Sequence, residues 1–261
     1  MPSVPQHPAG TPIWFDLSTP HPAQAQAFYH ALFGWTYQDM GPDYGHYHMV
    51  HQRGQPVAGL GPATPGTGHL PAAWTVYYAS DDLTRDLARL HHLGGRTLAG
   101  PMQVGPLGHM LVATDPAGAP FGLWQPLTFG GYTLHGEHGS PAWQEVNTRN
   151  ADQAATFYGA LFGAQATPVP GDTPYLTLER DGQGVGGILQ MDPAHWPTDP
   201  PPHWMPSFAV NDAHQAAALA PLHGGQCSAP PFGSPHGTTA VLTDPHGAVF
   251  SVIGPPAPPA Q

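Results

Sequence analysis

Two carboxylates stand beside indoles at matching places in this chain. Asp16 is two residues after Trp14, and Glu145 is two residues after Trp143. Both pairs fall in short segments with strand character, where alternate residues share one face of a sheet. A carboxyl group beside an indole in a cleft has a raised pKa, which suits general acid or base catalysis. Asp16 and Glu145 are therefore candidate catalytic residues, and the alternative is that they are rim carboxylates bound to backbone amides.

Large aromatic side chains recur near these carboxylates. Trp14, Trp74, Tyr77 and Trp124 would form a cleft suited to a flat or apolar ligand, whereas core filling is the ordinary role of such residues. The later part of the chain keeps two of the indoles, so the two clefts should differ. The candidate ligand-binding residues are Trp14, Asp16, His48, Trp74, Tyr77, Trp124, Trp143, Glu145, Trp204 and Ser207.

The chain has 18 histidines, which raises the question of a metal. His46 and His48 share a strand face at a spacing that can chelate. No carboxylate or cysteine lies on that strand, and the matching later stretch has Tyr175 and Leu178 instead. We expect no metal site and no cofactor. The alternative is a divalent metal recruited through residues such as His48 with Asp16.

These residues belong to a tandem repeat with landmarks about 129 residues apart. The segment FYHALFG from Phe28 returns as FYGALFG from Phe157, and the turn that begins at Asp115 returns at Asp244. The repeat predicts an N-terminal domain over 1–127, a linker over 128–141, a C-terminal domain over 142–254 and a Pro-rich tail over 255–261.

Each copy has the same order of predicted elements. A strand at 13–17 precedes a helix that ends at Gly34, and in the second copy Asn150 caps the matching helix. A Trp-led strand then precedes a helix over 82–92 with leucines at helical spacing. Each copy is therefore read as βαβββ twice. The aspartates of the two Asp-Pro-x-Gly turns are explained as caps of backbone amides.

Composition excludes some functions. The formal net charge is -11 with only six basic residues, so no basic surface for nucleic acid is expected. No apolar run reaches the roughly 18 residues of a membrane span, and no signal peptide is seen, so we expect a cytoplasmic protein. The single cysteine, Cys227, is read as structural.

The ordered motifs resemble the vicinal oxygen chelate superfamily, which includes glyoxalase I, bleomycin-resistance proteins and extradiol dioxygenases. The resemblance covers residues 12–254. The two-domain arrangement is similar to that of tandem glyoxalase-like proteins. It implies an α+β fold of four βαβββ modules that form two half-open barrels, each with a ligand in its concavity. In metal-dependent members three strands supply His, Gln or Glu. Those positions hold residues that are not ordinary ligands, namely Trp14, Thr75 and Gly122 in the first copy, and Trp143, Met205 and Ser251 in the second.

Three functional hypotheses follow. The first is a protein that binds a small, flat or apolar molecule without the usual metal. The second is a metal-dependent lyase, isomerase or dioxygenase of the same superfamily. The third is an interaction protein with vestigial sites. The expected partner is a small molecule rather than nucleic acid or membrane, and the chain is expected to be a monomer or a homodimer.

Overall fold

The computed structural model describes residues 7–63, 71–171, 174–194, 196, 200–234 and 236–256. The first copy contains β1 (Pro12–Thr19), α1 (Pro22–Phe33), β2 (Thr36–Asp39), β3 (His48–Gln52), β4 (Gln55–Pro62), β5 (Ala73–Ala79), α2 (Leu83–His92), β6 (Arg96–Val104), β7 (Gly108–Thr114) and β8 (Pro120–Pro126). The second contains β9 (Pro141–Thr148), α3 (Ala151–Phe162), β10 (Gln165–Val169), β11 (Tyr175–Arg180), β12 (Gln183–Gln190), β13 (His203–Ala209), α4 (Ala213–Leu222), β14 (Gln226–Ser234), β15 (Gly237–Thr243) and β16 (Val249–Gly254).

The strands form two eight-stranded sheets, one from each copy. The first has the order β2-β3-β4-β1-β5-β8-β7-β6, and the second repeats it as β10-β11-β12-β9-β13-β16-β15-β14. The predicted α+β class with a repeated βαβββ order in each copy is confirmed, and the sheets are half-open rather than closed barrels.

The two FYxxLF helices follow local rules at both ends. Asn150 caps α3 by accepting a hydrogen bond from the Gln153 backbone amide, and Gly163 ends it in the left-handed conformation. Helix α1 ends the same way at Gly34, where φ is 74°. The inward faces of both helices are buried, as the spacing predicts; the buried residues of the motif are Phe28, Tyr29, Leu32, Phe33, Phe157, Tyr158, Leu161 and Phe162.

The chain divides into two compact units that mix the copies. Described residues within Met1–Trp14, Thr75–Gly131 and Gln144–Met205 form the first unit. Those within Phe15–Trp74, Tyr132–Trp143 and Pro206–Gln261 form the second. Each unit thus joins half of one copy to the complementary half of the other. The domains 1–127 and 142–254 describe the sequence repeat and stay a prediction.

Each unit contains a buried hydrogen-bonded chain that we call the Trp–Tyr–Asp relay. In the first unit Trp204 donates to the Tyr158 hydroxyl at 2.8 Å, and Tyr158 donates to Asp115 at 3.1 Å. The second unit repeats this with Trp74, Tyr29 and Asp244 at 3.1 Å and 3.3 Å. The turn aspartates also accept the predicted backbone bonds, such as the Ala119 amide on Asp115 at 2.8 Å.

Four strands have no clear signal in the sequence: β2, β6, β10 and β14. Their residues are mostly exposed or half-buried, and β6 and β14 are irregularly paired to their neighbours. Without a buried face, they lack the alternation that marks a strand.

Some sequence predictions fall outside the described residues. These are most of the Pro-rich tail, at 257–261, and the loop positions 64–70, 195 and 197–199. Among the helices that the structure describes, none has the length and apolar character needed to span a bilayer.

Candidate functional site

The carboxyl group of Glu145 contacts the side chain of Tyr175 in the first unit. Glu145 is on β9, directly beside Gly187 of the parallel strand β12. Tyr175 begins β11, and its hydroxyl hydrogen-bonds the Glu145 carboxylate. A Cβ atom at position 187 would overlap that hydroxyl. Glycine at 187 therefore leaves the space through which Tyr175 reaches Glu145.

The pKa of Glu145 is shifted toward neutrality. Burial raises it from 4.5 to about 7, because desolvation penalises the carboxylate, and the hydrogen bond from Tyr175 offsets part of that rise. A carboxyl group with this pKa is present in both protonation states near neutral pH. It can donate or accept a proton there, which an ordinary surface glutamate does not do efficiently.

The second unit repeats this arrangement at Asp16. Asp16 lies on β1 beside Gly59 of β4, and the Tyr47 hydroxyl donates to its carboxylate. A Cβ atom on Gly59 would again overlap the tyrosine hydroxyl. The carboxylate, tyrosine and glycine thus recur at matching positions in the two copies.

Two of the indoles predicted for the first copy, Trp14 and Trp124, pack on the Phe129 ring in the first unit. The Trp14 indole meets the Phe129 ring edge-on at a centroid distance of 4.7 Å. Trp124 donates its indole N–H to the Phe129 carbonyl at 3.0 Å. Tyr77 lies flat against Gly122, where no side chain intervenes. Trp14 and Trp124 thus share Phe129 as a packing partner, and Trp14 is only 5% exposed.

Trp74 and Trp204 occupy the hydrophobic core. Both are buried and donate to the tyrosines of the relays described above. A relay explains both indoles fully, and we do not include them in the site proposed below.

The second unit holds the remaining candidates of the C-terminal copy. The half-buried Trp143 stacks at a tilt on His236, with ring centroids 4.6 Å apart. Burial lowers the pKa of His236, which favours its neutral form. Ser207 pairs with Ser251 across β13 and β16, and their hydroxyls share a hydrogen bond.

His48 lies away from the carboxylate with which it was grouped. It pairs in register with Asp39 of β2, while Tyr47, the preceding residue, makes the contact to Asp16. On β3, Met49 is in register with Gly59, the partner of Asp16, so the adjacent His48 points to the opposite face of the sheet. The Nδ1 atom of His48 is buried without a hydrogen-bond partner among the described residues.

A cavity of about 380 Å³ opens beside Tyr175 in the first unit. Its lining combines apolar side chains with the start of α3, and includes Arg149, Pro168, Val169, Leu176 and Gln190. Glu145 does not line it. The volume lies within the range of small-molecule pockets, roughly 300–1,000 Å³.

Comparison with known proteins places this geometry in a family. A family profile described as a glyoxalase-like domain matches residues 13–124. The chain is 37% identical over 263 residues to "Putative glyoxylase CFP32" of Mycobacterium tuberculosis (strain CDC 1551 / Oshkosh), covering 98% of each protein. The chain belongs to the vicinal oxygen chelate superfamily.

Another relative in the superfamily is "Anthracycline biosynthesis protein DnrV" of Streptomyces peucetius, 35% identical over 268 residues with 94% of this chain and 93% of that protein covered. Solved structures share the fold at lower identity. The Mn(II)-bound glyoxalase from Novosphingobium aromaticivorans has a TM-score of 0.65 at 15% identity, covering 94% of this chain and 81% of that one. The 2,3-dioxygenase LapB from Pseudomonas sp. KL28 has a TM-score of 0.64 at 14% identity, covering 96% and 95%.

The positions that the resemblance assigns to metal ligands hold poor donors in this vicinal oxygen chelate protein. Trp14 packs on Phe129, Gly122 has no side chain, and the Ser251 hydroxyl is engaged by Ser207. Neutral indole, thioether and hydroxyl groups are weak ligands for hard divalent cations. Within the described part of the chain, no three His, Cys, Asp or Glu side chains are grouped to hold a metal. The residues at the positions that the resemblance assigns to metal ligands therefore do not fit a hard divalent cation such as Mn(II).

The sequence indicates the two carboxylates as candidates but not their tyrosine partners. From the sequence alone, Tyr47 and Tyr175 are only residues of predicted strands. A signal was present, because each copy places a tyrosine 12 residues before a glycine, Gly59 or Gly187. Its meaning depends on strand pairing, which brings each glycine beside a carboxylate.

Proposed function

We propose that the protein binds a small, flat, largely apolar molecule on the sheet face that bears Glu145, without the superfamily's usual metal. One observation carries the proposal: the Glu145 carboxyl group is held by the Tyr175 hydroxyl beside Gly187, in surroundings whose burial raises its pKa to about 7. A half-protonated carboxyl at neutral pH pairs well with an ionisable ligand hydroxyl, since it accepts the hydroxyl proton in one state and donates in the other.

A phenolic or enolic hydroxyl on an aromatic ring system matches this chemistry. The ring supplies apolar area, and the hydroxyl supplies the polar group that fixes orientation. The printed name of one relative, an anthracycline biosynthesis protein, supports this class, because anthracyclines are flat polycyclic aromatic compounds. We therefore assign a hydroxylated aromatic compound as the ligand class.

The test is calorimetric titration of metal-depleted protein with a panel of hydroxylated naphthalenes and anthraquinones, including 2,6-dihydroxynaphthalene. We expect binding that weakens by about 10-fold in Glu145→Gln, because the variant loses a charged hydrogen-bond acceptor. Glu179→Gln, which removes an exposed carboxylate from the same unit, is the control and should change affinity less than about twofold. Unchanged affinity in Glu145→Gln would contradict the proposal.

A second candidate is a metal-dependent enzyme of the superfamily. The observation that favours it is the shared fold with a Mn(II)-bound glyoxalase and with extradiol dioxygenases. The donor set described above does not support it. Elemental analysis of tag-free protein distinguishes the two: about one tightly held divalent metal per chain, required for ligand binding, would favour the enzyme.

A further inference from the structure

Asn147 carries a buried hydrogen-bond acceptor that the protein leaves unused. The side chain lies on β9 in the first unit and is fully buried. Its amide nitrogen lies 3.4 Å from Nε2 of His203, on β13. Its Oδ1 atom has no hydrogen-bond partner among the described residues. Buried polar atoms are rarely left unpaired in native proteins, so this oxygen calls for an explanation.

His203 fixes the direction in which that oxygen points. Its Nδ1 lies 2.8 Å from the carbonyl of Pro201, which can only accept, so Nδ1 carries the proton. Burial lowers the pKa of His203 and keeps the ring neutral, so Nε2 is an acceptor. Asn147 therefore turns its NH₂ group toward His203, which leaves Oδ1 for another donor.

Asn147 shares its strand face with Glu145. The two residues are separated by one position on β9, which places them roughly 7 Å apart along the strand on the same side. The intervening Val146 faces the opposite side and is fully buried. One face of β9 therefore presents a carboxyl group and an amide oxygen in a row.

The first copy has no equivalent of this pair. Ser18 stands where the second copy has Asn147, and Ala73 stands where it has His203. Ser18 is exposed, and alanine offers no side-chain hydrogen bond. The arrangement is a feature of the C-terminal copy alone.

We propose that Asn147 Oδ1, oriented by His203, accepts a hydrogen bond from a second hydroxyl of the ligand while Glu145 engages the first. The inference rests on the proposed function and narrows the ligand to flat molecules with two separated hydroxyl groups. Asn147 is the specificity-determining contact, and His203 is a positioning residue that acts through it. A ligand lacking the second donor would leave the buried oxygen unpaired, which binding sites of this kind reject.

The test compares two probes of nearly equal size, 2,6-dihydroxynaphthalene and its monomethyl ether 6-methoxy-2-naphthol. We expect the native protein to bind the diol about 10-fold more tightly, since only the diol supplies both donors. Asn147→Leu should reduce that preference to below about twofold. The control Ser18→Ala, in the other copy, should retain the preference.

The role of His203 is tested through the same preference. His203→Ala frees the Asn147 amide to rotate and should reduce the preference for the diol. His203→Gln restores it, because a glutamine carbonyl can accept the Asn147 N–H. A merely structural role would lower stability without this pattern of loss and rescue. The His203 variants also decide the matter if Asn147→Leu does not fold.

The outcomes separate this inference from the function on which it rests. Equal binding of the two probes by the native protein overturns the Asn147 contact and leaves the Glu145 site standing. A preference that survives both Asn147→Leu and His203→Ala also overturns it. Failure of the native protein to bind any compound of the panel overturns the proposed function and the inference together.

Discussion

Tyr158 donates its hydroxyl to Asp115 at 3.1 Å, although the two residues come from different copies of the repeat. Tyr29 and Asp244 make the reciprocal contact in the second unit. Each FYxxLF helix thus docks its tyrosine on the Asp-Pro-x-Gly turn of the other copy. Burial raises the pKa of Asp115 and Asp244, and the hydrogen bonds from backbone amides and tyrosines offset part of that rise.

We expect Tyr158→Phe and Tyr29→Phe each to lower the free energy of unfolding by about 1–3 kcal/mol, because each leaves a buried carboxylate oxygen and an indole N–H without a partner. Chemical denaturation measures the loss. Tyr44→Phe, at a half-buried position outside both relays, is the control and should cost less than about 0.5 kcal/mol. Equal costs at all three positions would show that the relays do not stabilise the fold.

The exchange of halves also predicts the behaviour of a single copy. A fragment of residues 1–127 contains Tyr29 and Asp115 but neither of their partners, Asp244 and Tyr158. We expect it to be unfolded or to fold only as a dimer in which two fragments exchange these contacts. Circular dichroism with sedimentation velocity tests this, and a stably folded monomer would contradict it.

The raised pKa of Glu145 makes stability depend on pH. The folded protein retains a proton that the unfolded chain releases between its ordinary pKa of 4.5 and about 7. The folded state therefore binds more protons in that window, and stability falls as pH rises through it. Glu145→Gln stays uncharged, so its stability relative to the native protein should rise across the window and then level off.

Urea denaturation from about pH 4 to about pH 8 measures this difference. Glu179→Gln, which removes an exposed carboxylate from the same unit, is the control and should show a smaller dependence. If the difference in the free energy of unfolding between Glu145→Gln and the native protein does not change with pH, the Glu145 carboxyl is not desolvated.

The two matching tryptophans should respond differently to truncation. Trp14 is packed on Phe129 and is 5% exposed, so Trp14→Ala should lower the free energy of unfolding by about 3–5 kcal/mol. Trp143 is half-buried against His236, so Trp143→Ala should cost clearly less. Thermal denaturation of both variants tests the assignment of Trp14 to the core. Equal losses would indicate that the two aromatic environments are alike.

Glycine at 187 should be required for the Tyr175 contact. A Cβ atom there would overlap the tyrosine hydroxyl, so Gly187→Ala should displace Tyr175 and weaken ligand binding about as much as Glu145→Gln does. Gly233→Ala is a matched control, because a Cβ atom at that position has no neighbour within 4 Å. Calorimetric titration with 2,6-dihydroxynaphthalene compares them, and equal effects would exclude a steric role for position 187.

The sequence alone determined the repeat, the fold class and the positions of the main helices. Those features depend on local sequence patterns. The FYxxLF spacing, the αL glycines and the Asp-Pro-x-Gly turns occur in both copies, and Asn150 caps the helix of the second. It also indicated Asp16 and Glu145 as candidates, since strand alternation places each on the same face as an indole two residues before it. The βαβββ order implied the edge strands, but the residues that form them could not be located because these strands have no buried face to leave a periodic signal.

Only the tertiary structure decided which residues meet. Strand pairing set Gly59 beside Asp16 and Gly187 beside Glu145, and so gave Tyr47 and Tyr175 their roles. Docking of the helices placed Trp74 and Trp204 in the buried relays, where each donates to a tyrosine hydroxyl. These contacts join residues distant in the chain, and the pKa of Glu145 depends on the burial that they create. The local sequence does not indicate that burial, because the desolvation of Glu145 depends on the residues that pack around it in the folded protein.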